Sequence, residues 1–425
     1  MENSREKAAN RVYLLLILAT FFMYTSLTAA KNIYVAEKTT LEAIGIFGSF
    51  TELAATMEYY FYSYAVTQVL LIFFIKRINI KWYLTVTVGA SAFLTLAMAF
   101  SQSITHHYVI YIINGVLQAG IWSCSMKVLA RYLPGEILPF ANKLMSSGPA
   151  VSGAVCYAVA ALFGDNWRIP FVFLGSMLIL AVIIFFISVS AAAHYPRRAV
   201  EPSDGSSQKG GEGEKDLISL ENKKRVLAFY FVSAVIAFIV TALFFFLFNN
   251  LDLFLKQVGG FDNTTAKLIT IIAPLVIVIG PYITVGACER TKNFILIGAV
   301  MFGGSAVFLL LLTLLFEVNI FLSLALFVGF SILANGGRMI PLSIVPLKMR
   351  DSIDSGVYSA VANSSASLAS GLAPKFLAII VDNEGRGVSA NWSISLTIAL
   401  AVCVLIVAIL LVLGLFIGGK QKKRI

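Results

Sequence analysis

From Val12 almost to its end, the chain repeats apolar runs of the length that crosses the hydrocarbon of a bilayer as a helix, about 18 residues or more. Lipid offers no water to a backbone amide, so a run of this kind must satisfy its hydrogen bonds internally, as a helix. Long segments of alternating polarity, which a membrane barrel needs, are missing. Composition agrees, with 59% of the 425 residues hydrophobic and 13% charged, whereas a soluble domain carries about 25% charged residues. The expected fold class is an all-α, multi-pass membrane protein, and soluble enzyme folds are excluded.

Polar punctuation divides the runs into twelve predicted spans: 12–35, 54–75, 82–101, 107–130, 137–163, 169–193, 226–251, 266–287, 293–315, 319–346, 356–381 and 392–418. No small-residue cleavage site follows the first, which reads as a retained helix rather than a signal peptide. The one long polar stretch, 194–225, holds Gly205, Gly210, Gly211, Gly213, several serines and both charge signs. Such a composition predicts a flexible linker. Residues 1–193 are therefore expected to form an N-terminal six-helix bundle, 194–225 a cytoplasmic linker, and 226–425 a C-terminal six-helix bundle.

The net charge of +10 comes from 32 basic and 22 acidic residues. Lys38, Arg168, Lys256, Lys267 and Arg386 fall on one side of the predicted spans, and Lys31, Arg338 and Lys375 within them. All other basic residues fall on the side of the N-terminus. The positive-inside rule then predicts two cytoplasmic termini and a plasma or inner membrane location. Basic residues spread over every cytoplasmic turn suit anionic lipid head groups; a nucleic-acid binder gathers them on one face. The four cysteines lie in apolar stretches with no metal-ligand spacing, so neither metal nor cofactor is expected. His-Glu-x-x-His, Gly-x-Ser-x-Gly and P-loop signatures are missing, which argues against an enzyme. Asn263-Thr264-Thr265 and Asn391-Trp392-Ser393 match the glycosylation pattern on the predicted outer side.

A charge at the centre of a membrane helix costs about 2.5–3.5 kcal/mol on insertion scales, so each one needs a partner, a cavity or an interface. Arg338 sits in Asn335-Gly336-Gly337-Arg338-Met339-Ile340-Pro341, where two glycines and a proline loosen the helix. Its guanidinium suits a carboxylate or phosphate. Lys31, with Tyr34 one turn beyond, and Lys375 lie in the outer parts of spans one and eleven. As two positive poles they would suit a dianion; snorkelling to the outer interface is the alternative for each. Glu58 precedes Tyr59, Tyr60, Tyr62 and Tyr64; Tyr60 and Tyr64 share one helical face, Glu58 and Tyr62 another. Glu58 is a candidate proton carrier or a neutralising partner for Lys31. Asn114, Gln118 and Trp122, four residues apart, make a polar stripe that lipid would penalise. Asn249, Asn250 and Asn363 are weaker cavity candidates.

The halves echo each other: Ser146-Ser147-Gly148-Pro149-Ala150-Val151-Ser152-Gly153 and Asn363-Ser364-Ser365-Ala366-Ser367-Leu368-Ala369-Ser370-Gly371 are small-residue faces, each followed by an Asp-Asn turn. Twelve spans in a 6+6 pseudo-two-fold arrangement, with a central linker, resemble the major facilitator superfamily. Asn114-Gly115-Val116-Leu117-Gln118-Ala119-Gly120-Ile121-Trp122, Asn166-Trp167-Arg168-Ile169-Pro170-Phe171 and Lys31-Asn32 are similar to the organophosphate:phosphate antiporter branch. That resemblance implies substrate-site roles for Tyr64, Gln68 (where the branch has a lysine) and Trp122. It also shows departures: Phe244 to Asn250 offers no second arginine in span seven, and the loop motif after span two is reduced to Lys76-Arg77-Ile78-Asn79. Lys375 is similar to the span-eleven lysine of oxalate/formate exchangers.

The expectation is a monomeric secondary transporter moving a small organic anion, a phosphate ester or a carboxylate, by alternating access through exchange or proton coupling. A transporter-like receptor that senses a small anionic metabolite without moving it is the alternative.

Overall fold

A computed structural model describes residues 2–45, 47–74, 78–194, 220–291, 293–348, 355–383 and 385–422. Most of the expected linker, with Lys76, Arg77, Lys292, Arg350 and the basic tail from Lys423, lies outside the described residues. The described chain is helical throughout. The N-terminal half contains α1 (Glu2–Ile44), α2 (Phe50–Phe74), α3 (Ile80–Met98), α4 (Ile104–Gln118), α5 (Ile121–Tyr132), α6 (Leu138–Phe163) and α7 (Arg168–Ala192). The C-terminal half contains α8 (Leu220–Phe248), α9 (Leu251–Gln257), α10 (Asn263–Thr270), α11 (Ile272–Val276), α12 (Ile279–Thr291), α13 (Phe294–Leu315) and α14 (Ile320–Met339). A π-helical turn (Ile340–Ile344), α15 (Val345–Lys348), α16 (Ser355–Val381) and α17 (Val388–Lys422) complete it.

Taken as continuous crossings, α4–α5, α8–α9, α10–α12 and α14–α15 are one span each, which recovers the twelve. Among the described residues, eleven are long and apolar enough to cross a membrane; the other is α2, where Glu52, Glu58 and four tyrosines dilute the apolar run. One core joins buried residues from Tyr13 to Ala192. Two more draw on Ala237 to Ile406, with Phe50 and Ala54 of α2 reaching across.

Three expected boundaries are corrected. Span one was expected to end at residue 35, but α1 continues to Ile44 and stops at Gly45, whose φ of +71° suits a glycine. Span seven breaks at Asn249-Asn250 and resumes as α9, so Asp252 and Lys256 belong to the helix pair, not to a loop. Span eight starts at Asn263, where Asp262 caps α10 by accepting from the Thr265 amide at 3.1 Å. The Thr265 hydroxyl and amide hold the exposed Asp262 carboxyl below the usual range. Lys38 and Lys267, expected at the outer edge, are 3% and 0% exposed.

Membrane helices gain little from apolar burial against each other and rely on close backbone approach at small residues. The expected small-residue faces do this between the halves. A Cβ at Gly153 of α6 would lie 2.8 Å from Pro274 of α11, and one at Gly371 of α16 would lie 3.0 Å from the Glu58 Cα of α2. The pairing of spans five and eight is thus repeated by spans eleven and two. Within the C-terminal half, a Cβ at Gly280 would meet the Ile332 carbonyl at 1.9 Å. Gly280→Ala should therefore force α12 from α14, at about 1–3 kcal/mol for overpacking. A lowered melting temperature of the detergent-purified protein checks this; an unchanged one contradicts the contact.

Candidate functional site

Most of the sequence candidates fall into two groups, one in each half. Lys31 is half-buried, its Nζ 5.7 Å from the Tyr60 ring centroid and 5.5 Å from that of Phe61. No carboxylate pairs with it among the described residues. Gly115 lets α4 abut α2, since a Cβ there would lie 2.3 Å from the Tyr60 carbonyl. That approach lets the Tyr60 hydroxyl donate to Gln118 Oε1 at 2.9 Å. Tyr64 stacks on Tyr60 at 5.9 Å, and Trp122 lies 5.0 Å from Tyr24. The α4–α5 break at Ala119-Gly120 separates Trp122 from the Asn114–Gln118 helix. Asn114 Oδ1 and Gln68 Oε1 are buried without a hydrogen-bond partner.

From the other half, Arg338 lies in the last turn of α14, just before the π-helical turn, where Pro341 interrupts regular bonding. Its Nη2 donates to Asn335 Oδ1 at 2.9 Å, and Asn335 donates to the Ile277 carbonyl at 3.2 Å. The guanidinium lies 4.9 Å and 5.1 Å from the Phe244 and Phe245 ring centroids. Its Nε has no partner, and no carboxylate pairs with it among the described residues. Asn249 and Asn363 are half-buried on α8–α9 and α16.

Four candidates stand apart from these two groups. Tyr34 is fully buried in the N-terminal core, its hydroxyl shared by Thr56 at 2.9 Å and His107 at 3.1 Å. Lys375 is not a free positive pole, because it pairs with Glu58 at 2.6 Å. Glu58 therefore answers Lys375 rather than Lys31, and it also accepts from the Tyr62 hydroxyl at 2.5 Å. Asn250 is fully buried and accepts from Lys38 Nζ at 2.8 Å.

That last contact belongs to a cluster the sequence reading missed. On the face opposite the termini, the distal face, Glu37 and Lys267 pair at 2.8 Å, both side chains 0% exposed. Lys267 also donates to Thr40 Oγ1 at 2.7 Å. Asn263 accepts from Thr39 at 3.0 Å and donates to Thr40 at 2.9 Å. Thr51 donates its amide to Asp382 at 2.7 Å. These bonds join α1 and α2 to α9, α10 and α16, and with Glu58–Lys375 they close the distal side between the halves. The cluster also corrects the glycosylation reading: Asn263 is bonded between the halves, and Asn391 is 3% exposed and donates to the Val381 and Asn383 carbonyls. One signal was present in the sequence, since no glycine or proline before Gly45 ends the helix that carries Glu37 and Lys38.

Two six-span halves, each holding a partly buried cation with no carboxylate partner among the described residues, define a membrane transporter architecture. The chain belongs to the Major Facilitator Superfamily, whose model matches residues 12–374. It is 31% identical over 134 residues to the uncharacterized MFS-type transporter YybF of Bacillus subtilis (strain 168), an alignment spanning 31% of this chain and 33% of that one. The chain thus aligns with about a third of that relative. Its fold is similar to a bacterial homologue of the human lysosomal transporter Spinster, solved inward-facing and unoccupied, with a TM-score of 0.71 at 14% identity over 95% of this chain and 96% of that one. The Escherichia coli xylose transporter XylE gives a TM-score of 0.67 at 12% identity, over 92% and 97%. The nucleoside transporter NupG gives 0.62 at 14%, over 94% and 98%.

Proposed function

We propose that the chain is a secondary transporter that moves a small organic anion by alternating access between its two six-span halves. One observation carries the reading: Lys31 and Arg338, one from each half, are partly buried cations resting on aromatic faces with no carboxylate partner among the described residues. Cation–π contacts contribute about 0.5–2 kcal/mol each, less than removal from water costs an ion. A bound anion supplies the missing counter-charge, and a carboxylate or a phosphate ester provides the planar or multiple acceptors a guanidinium grips. Tyr60, Tyr64, Gln118 and Trp122 then contact the organic part.

On this reading the distal face is the outer one, by the positive-inside expectation, and the structure is closed to the outside. The Glu58–Lys375 pair and the distal cluster must break for outward opening. The organophosphate branch is one source of substrates, although the arginine stands in span ten rather than span seven; simple carboxylates are the other.

The test is a counterflow screen in proteoliposomes across labelled phosphate esters, carboxylates, neutral sugars and nucleosides. Saturable counterflow of a phosphate ester or carboxylate, suppressed by excess unlabelled anion, is expected. Counterflow of neutral solutes alone would refute the anion reading, and no counterflow of any solute would refute transport of these classes.

A further inference from the structure

We infer that Asp252 is a proton-binding site that couples closure of the distal gate to proton uptake, which rests on the transport reading above. Asp252 lies in the first turn of α9, just after the break at Asn249-Asn250, and is 1% exposed. Both of its carboxylate oxygens are buried without a hydrogen-bond partner. The two lysines that would ordinarily serve an ionised carboxylate there are engaged elsewhere, which leaves it only the Asp252 and Leu253 amides at the start of its own helix, short of full hydrogen-bond geometry. Lys38 gives its ammonium to Asn250 at 2.8 Å and rests 4.1 Å over the Phe50 ring. Lys267 is shared between Glu37 at 2.8 Å and Thr40 at 2.7 Å.

Asp252 is faced by Glu37, Lys38 and Glu42 of α1, Lys267 of α10, and Cys156 and Tyr157 of α6. Asp382, at the end of α16, faces Lys38 and Glu42. Lys256 of α9 faces Glu42, so three lysines stand among four carboxylates, and two of the three, Lys38 and Lys267, face Asp252. An ionised carboxylate held by no side-chain donor is far costlier to bury than a neutral carboxyl group. The closed gate thus accommodates Asp252 with its proton on.

Opening draws α1 away from α9 and α10 and admits water to Asp252. The O–H bond then breaks heterolytically, the proton passes to distal-side water, and the carboxylate remains with Lys38 beside it. Closing again takes one proton from the distal side. Glu58 does not fill this role here, because Lys375 and Tyr62 hold its two oxygens.

The experiment reads the gate without a substrate, so it can fail or succeed independently of counterflow. Spin labels on cysteines replacing Gln102 and Arg386, exposed distal positions in the two halves, report the interhalf distance in the reconstituted full chain from pH 5 to pH 9. Lower pH should favour the short-distance population in wild type, with a closed-to-open ratio that changes by at most about tenfold per pH unit for one proton. Asp252→Asn, a neutral isostere, should keep the short distance at every pH, while Asp165→Asn, at an exposed distal carboxylate outside the cluster, should retain the pH response. A wild-type ratio indifferent to pH would overturn the proposal. So would a wild-type-like response in Asp252→Asn, or a response to Na⁺ at fixed pH without one to protons.

Discussion

Lys31→Gln should abolish saturable counterflow of whichever labelled anion the wild-type protein exchanges, while the protein still inserts and purifies. Removing one partner of a desolvated, hydrogen-bonded charge pair costs about 2–5 kcal/mol, so transport efficiency should fall by about 30-fold or more. The size follows from where Lys31 stands. Its ammonium is bounded by Tyr60 and Phe61, and Phe61 in turn meets α16 at Gly371, so the charge sits where the halves converge. Lys31→Arg should retain a measurable part of the activity, because charge is kept while shape changes. Free of an internal counter-charge, Lys31 also predicts that the Gln variant is at least as thermally stable as wild type. Wild-type counterflow in Lys31→Gln would remove Lys31 from the substrate site.

Lys267→Met should open the distal side. Truncating one partner of a buried ion pair strands the other charge, at about 3–5 kcal/mol, and Glu37 and Lys267 are both 0% exposed at 2.8 Å. Because the pair joins α1 to α10, the cost falls on the closed arrangement of the halves. Its population should drop by more than about 100-fold relative to the open one. A cysteine replacing Ala36, fully buried on α1 beside Glu37, should turn from inert to reactive toward a membrane-impermeant maleimide. The double variant Glu37→Gln/Lys267→Met should restore most of the protection, since neither charge is left alone. If the double variant labels as fast as Lys267→Met, the pair is not the lock. Unchanged labelling in the single variant contradicts the closed distal arrangement itself.

Much of the fold was legible because lipid leaves the chain few options. Runs such as Arg168–Ala192 and Phe294–Leu315 announce spans by hydropathy alone, and their ends match the expected ones within a few residues. The small-residue faces at Gly148–Gly153 and Asn363–Gly371 were readable as close-packing surfaces, and both bring the halves together. The tyrosine faces of α2 were also readable from helical geometry: Tyr60 stacks on Tyr64 while Tyr62 meets Glu58.

Ends and partners were not readable in the same way. Hydropathy treats Glu37, Lys38, Asp252 and Lys267 as signs that a span is over. In the structure the four charges occur together, and Glu37 and Lys267 each lose their penalty because the other is near. Their pairing is 230 residues apart in sequence for Glu37 and Lys267. No local pattern encodes that distance.

Composition and periodicity by themselves determined an all-helical membrane chain of twelve spans in two echoing halves, since a bilayer admits little else for such apolar runs. Only the tertiary structure decided which charges are free and which are spent. It paired Glu58 with Lys375 across the halves, folded Tyr34 away with His107, and left Lys31 and Arg338 without counter-charges. The physical reason is that an ion's fate in a low-dielectric interior depends on what lies within a few ångströms of it, and those neighbours come from helices far apart in the chain.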